Sequence, residues 1–128
     1  MADDTTPELP APTSHIGVWV DVSAQRAYEF IADIGNMPRW AAGLDLDAVT
    51  VELAAPNVFG VLDHIVEVPG GQRFFNPMRV VAEGEGRQCC EIVFGVRRRG
   101  SVTDAEFEAD VAAVRTDLMT LKGLLEAG

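Results

Sequence analysis

Residues 102–126 read VTDAEFEADVAAVRTDLMTLKGLLE, and this stretch decides the layout of the chain. Thr103 and Glu106 have the spacing of a capping box, in which a hydroxyl accepts from a free helix amide and the carboxylate reaches back to the cap. Val102 and Phe107 supply the accompanying hydrophobic staple. Asp104, Glu106 and Glu108 favour the positive end of a helix that starts there. Behind them Phe107, Val111, Val114, Leu118, Leu121 and Leu125 step alternately by four and three, an apolar stripe of helical period. A helix running to about Glu126 measures roughly 35 Å at 1.5 Å per residue, enough to cross a whole sheet.

Upstream of this helix the period changes from helical to alternating. Strands are expected near 46–54, 58–68, 73–82 and 87–97, separated by the turns Ala55-Pro56-Asn57, Pro69-Gly70-Gly71 and Glu83-Gly84-Glu85-Gly86. Earlier still, Ile16, Val18, Val20 and Val22 alternate with Gly17, Trp19 and Asp21, the pattern of a half-buried strand. Ser23 caps a helix whose apolar positions are Ala27, Tyr28, Phe30, Ile31 and Ile34, and Gly35-Asn36 ends it. Pro38 opens a short helical turn carrying Trp40 before Gly43. The order is α+β: one strand, two short helices, an antiparallel sheet, and a long terminal helix whose stripe the sheet must curl around to bury.

Pairing about Gly70-Gly71 sets Leu62 opposite Val80 and His64 opposite Met78. Pairing about 84–86 sets Val80 opposite Cys90 and Met78 opposite Ile92. The inward face then reads Leu62, His64, Val66, Met78, Val80, Cys90, Ile92 and Phe94, apolar except for His64. On the outward face Asp63, Arg79 and Glu91 form a ladder of alternating charge, whose exposed pairs contribute about 0–1 kcal/mol each. Trp19 also points outward, which suggests a contact surface for a homodimer or for the amino-terminal tail.

The whole chain is 128 residues, a size at which a single hydrophobic core is normal. Its longest apolar runs fall far short of the roughly 20 residues that span a bilayer. Residues 1–13 carry Asp3, Asp4, Glu8 and three prolines, unlike a secretion signal. They read as a disordered tail on a cytoplasmic protein, with a single domain over 14–128. Twenty acidic against ten basic side chains, a formal charge of −10, make nucleic acid or an anionic membrane an unfavourable partner. The basic run Arg97 to Arg99 reads as a solvated turn after a strand, or as a grip for an anion. Cys89 and Cys90 are adjacent and would point to opposite faces of a strand, which excludes a disulfide framework. With His15 and His64 the only histidines and no ligand cluster at metal spacing, neither a metal site nor a cofactor is expected.

This element order, together with VDVSAQRAYEFIADIGNMPRW over Val20 to Trp40, resembles the START/Bet v 1-like (SRPBCC) superfamily. Phe59-Gly-Val-Leu-Asp-His64, Asn76-Pro-Met-Arg-Val80 and the terminal helix are similar to its small bacterial polyketide cyclase/dehydrase-like members. The resemblance implies a helix-grip fold with a cavity for a hydrophobic small molecule between sheet and helix, in a chain with fewer strands than fuller members. It implies no common reaction. Ligand-binding candidates are Tyr28, Trp40, Leu62, His64, Met78, Val80, Ile92, Phe94 and Leu118. His64 is the catalytic candidate, an imidazole able to exchange a proton near neutrality, or else a core histidine bonded to backbone or to a hydroxyl such as that of Tyr28. Three functions follow: binding or carrying an aromatic, polyketide or lipid-like molecule; a cyclase or dehydratase with His64 as acid and base and Tyr28 orienting a carbonyl; or a protein-interaction module with a vestigial cavity.

Overall fold

Both longer helices begin where a side-chain oxygen accepts from a free amide. Ser23 Oγ accepts from the Arg26 N–H at 3.1 Å and opens α1 (Ala24–Ala32). Thr103 Oγ1 accepts from the Glu106 N–H at 3.1 Å while Glu106 accepts from the Thr103 N–H at 3.0 Å, so the expected capping box starts α3 (Asp104–Ala127). The computed structural model describes residues 9, 12–84, 88–100 and 102–128; most of the expected tail and part of the 83–86 turn lie outside these. β1 (Ser14–Val20) precedes α1, and between α1 and α3 run a 3-10 turn at Ile34–Asn36, α2 (Met37–Trp40), β2 (Thr50–Leu53), β3 (His64–Glu67), β4 (Arg73–Asn76), β5 (Met78–Ala82) and β6 (Cys90–Val96).

The strands form two antiparallel groups, β1-β6-β5 and β2-β3-β4, joined into one curved surface. The joint lies where β4 and β5 are separated only by Pro77. Beside it, the Leu62 N–H donates to the Met78 carbonyl and the Val80 N–H to the Gly60 carbonyl, each at 2.9 Å, and Val61 bridges Arg79. Segments 60–67 and 73–80 therefore keep one register through the joint, with Pro77 opposite Asp63.

In a regular antiparallel ladder Leu62 and Met78 would exchange both bonds. Here only one forms. The Met78 N–H turns to the Asp63 carboxylate at 2.8 Å, and the Leu62 carbonyl takes His64 Nδ1 at 3.0 Å. Two side chains thus complete hydrogen bonds that the bend takes out of the backbone. Pro77 has room because Gly95 faces it: a Cβ on Gly95 would lie 2.7 Å from Pro77 Cγ. The Gly95 N–H still reaches the Pro77 carbonyl at 2.9 Å.

The pairing differs from expectation by two residues. His64 lies opposite Asn76, Val80 opposite Ile92, Met78 opposite Phe94 and Ala82 opposite Cys90. In the first hairpin the Val68 N–H bonds the Gln72 carbonyl and closes a three-residue loop of Pro69, Gly70 and Gly71, while the β5–β6 register is set separately, where the Glu83 N–H bonds the Cys89 carbonyl. A slip of two preserves the face of every side chain, so the inward set stands while its partners change. Of the expected charge ladder, Asp63 and Arg79 form an ion pair, but Glu91 faces Trp19 and Val81 rather than Arg79. The strand expected over 46–54 begins only at Thr50, because 45–49 is a turn in which Asp45 accepts from the Asp47 N–H.

α3 packs on β1, β6 and α2. Leu118, Leu121 and Leu125 are fully buried, together with Val20, Ile31, Leu62, Met78, Cys90 and Ile92, and Trp40 is nearly so. The helix end is tied down further: Lys122 Nζ donates to the Trp19 carbonyl at 2.8 Å, Glu126 accepts from the Asp21 N–H at 2.9 Å, and Arg26 donates to the Leu125 carbonyl. Phe107, Val111 and Val114, in the first half of the same stripe, are only half-buried. The grip is closed at one end and open at the other.

Gly60 sits at φ +75°, and a side chain there would overlap the Val80 carbonyl oxygen. Gly60→Ala should therefore cost roughly 2 kcal/mol or more, from left-handed strain and loss of a ladder bond. Urea denaturation would measure it, and an unchanged midpoint would refute the account of the joint.

Candidate ligand site

The open end of the grip is a groove of about 370 Å³. Its floor is the sheet's concave face, with Val66 from β3, Phe74 and Asn76 from β4, and Phe94 and Val96 from β6. Its wall is α3, through Asp110, Ala113 and Val114, and Arg97 and Arg99 stand at its edge just after β6. The floor follows from the two-residue period of the strands, which carries the inward face of His64 onward to Val66, Phe74 and Asn76. The wall is open because Asp110 and Ala113 fill little space where the helix would otherwise meet the sheet.

One chain of hydrogen bonds fixes the polar side of this region. Arg99 Nη2 donates to Asn76 Oδ1 at 3.0 Å and to the Phe75 carbonyl at 3.2 Å, and its guanidinium lies 4.5 Å from the centre of the Phe74 ring. Asn76 Nδ2 faces His64 Nε2 at 3.4 Å. Since the Leu62 carbonyl can only accept, Nδ1 of His64 carries the proton and Nε2 accepts from Asn76. The ring also meets Phe94 edge-on, at 5.9 Å between centroids. His64 is nearly fully buried, and burial holds its pKa below the usual range, against smaller opposing effects from the Leu62 bond and the Asp63 charge. It is a neutral, doubly bonded imidazole beside the groove, lining a smaller hollow of about 300 Å³ with Asn76 and Arg97.

The structure distributes the sequence-derived site residues rather than gathering them. Phe94 lines the groove. Tyr28 and Val80 line a separate hollow of about 570 Å³ between α1 and the 57–60 loop, which shares no residue with the hollow beside His64. The Tyr28 hydroxyl accepts from the Asn57 N–H at 3.1 Å and makes no bond to His64. Asn57 in turn organises that loop, accepting from the Phe59 and Val61 amides and donating to the Ala55 and Val61 carbonyls. Val58 and Phe59 at the rim of this hollow are 91% and 83% exposed. Trp40, Leu62, Met78, Ile92 and Leu118 belong to the packed core, and Trp40 Nε1 is buried there without an acceptor among the described residues. Phe74, Asn76, Val96 and Val114 were not singled out as ligand contacts, although the strand period and the helix stripe both pointed to them.

Trp19 is 53% exposed on the convex face. Val81 lies two strands away, with Glu91 between them. Cys89 and Cys90 are both free thiols. Burial raises the pKa of Cys90, with the neighbouring Cys89 adding to it, so Cys90 is an inert core group. No helix of the described residues is long and apolar enough to cross a membrane.

No family model and no curated protein matches the sequence. Solved structures do match over nearly its full length. The START superfamily protein from Mycobacterium smegmatis superposes with a TM-score of 0.54 at 13% identity, covering 90% of this chain and 97% of its own. The chain has the START/Bet v 1-like helix-grip fold. The Zhui aromatase/cyclase from Streptomyces sp. R1128 gives a TM-score of 0.53 at 15% identity, over 90% of this chain and 93% of that one. XoxI from Bacillus cereus gives 0.57 at 12% identity, over 90% and 96%. At these identities the likeness is one of fold alone.

A His64 pKa lowered by folding makes stability depend on pH. As pH falls below about 6.5 the unfolded chain takes up the proton first, so the stabilisation is intact above that value and is lost below it. At pH 7.5, His64→Leu should lose about 1–3 kcal/mol, because the Leu62 carbonyl is left unpaired. Thermal melts should show the gap between wild type and variant narrowing towards pH 5. A gap that does not change with pH would contradict this role.

Proposed function

We propose that this domain binds a hydrophobic small molecule in the groove between the first half of α3 and the concave face of the sheet. The observation that carries the reading is the half-gripped helix, with Val66, Phe74, Phe94, Val96 and Val114 lining about 370 Å³ that the core leaves unfilled. Ligand sites are of this size and are lined mainly by apolar and aromatic side chains with a few placed polar groups. The interior itself is packed, and it is the groove beside it that supports binding over a pure interaction module.

Cyclase or dehydratase chemistry has less support from the geometry. His64 would have to release Asn76 to act as a base at Nε2, and Tyr28 lines a different hollow, so no acid, base and orienting group converge on one point.

Backbone NMR shifts on adding 1-decanol or naphthalene should cluster at Val66, Phe94 and Val114. Val114→Trp should remove them while leaving the fold's melting temperature within a few degrees. Absence of binding by wild type, or shifts confined to the 57–60 loop, would overturn the assignment.

A further inference from the structure

We infer that the ligand is an amphiphile with a carboxylate head, its apolar body in the groove and its anionic end held by Arg97 and Arg99. The inference rests on the groove reading above and deepens it. Both arginines line the groove, and neither has a carboxylate within ion-pair distance among the described residues. Arg26, Arg39 and Arg115 likewise lack a carboxylate partner among the described residues, but only Arg97 and Arg99 line the groove.

Arg99 is also held in place before any ligand arrives. The Phe74 ring and two acceptors engage one side of the guanidinium through Nη2, while the Nη1 and Nε hydrogens have no partner among the described residues. A fixed guanidinium with free donors suits a planar carboxylate. Partial burial and the nearby Arg97 charge both lower the pKa of Arg99, effects that the charge of an arriving anion would offset, as Asp110 does in part. Asp110 shares the groove wall but lies beyond ion-pair reach of both arginines, so the mouth keeps a net positive charge.

The test is titration calorimetry of the full chain with decanoate and 1-decanol at pH 7.5 and low salt. Decanoate should bind about tenfold or more tightly than 1-decanol, as charge-assisted bonds would give. That ratio should fall with added sodium chloride and drop to about one in the Arg97→Gln/Arg99→Gln double variant. Equal, salt-independent affinities in wild type would overturn the carboxylate assignment and leave the groove reading intact. No binding of either probe would sink the groove reading itself. The salt series on wild type decides the matter even if the double variant unfolds.

Discussion

Pro77 cannot donate a hydrogen bond, and it stands in the middle of what would otherwise be one long strand. The rest of the architecture depends on how that gap is closed. Asp63 accepts the Met78 amide, His64 donates to the Leu62 carbonyl, and Gly95 leaves space for the proline ring. With these three devices the sheet changes direction while the Met78 amide and the Leu62 carbonyl keep hydrogen-bond partners. The bend produces a concave surface, and a concave surface is what an amphipathic helix needs beneath it.

The same joint explains why two ionisable side chains sit next to each other in the interior edge of the sheet. Asp63 and His64 are adjacent in the sequence. In the structure they face opposite ways, one towards Arg79 on the convex side and the other into the core. Their chemistry is spent on the backbone. The polar character of the groove comes instead from Arg97, Arg99 and Asn76, contributed by the strand end and by the residue just before the proline.

Much of this was legible in the order of residues. The caps and stripe of α3 rest on local rules and appear as read, as does the alternation that assigns inner and outer faces. Pairing partners were not legible, because three-residue loops over 69–71 and over 70–72 fit the same pattern and differ by two in register. Nor was the break at Pro77, since alternation runs through it from Phe74 to Val80. The site residues divide in the same way. Phe94 followed from the period, whereas the role of Asn76 depends on a contact with Arg99 across 23 positions that no local pattern encodes.

The tie between the end of α3 and β1 has a consequence beyond packing. β1 is the outermost strand of its group, and an outer strand normally offers a row of free amides and carbonyls onto which another polypeptide can add. Lys122 occupies the Trp19 carbonyl and Glu126 the Asp21 amide, so the helix terminus blunts that row at its far end. The last turn of the chain thereby acts as a guard against edge-to-edge aggregation, a duty separate from covering the hydrophobic interior.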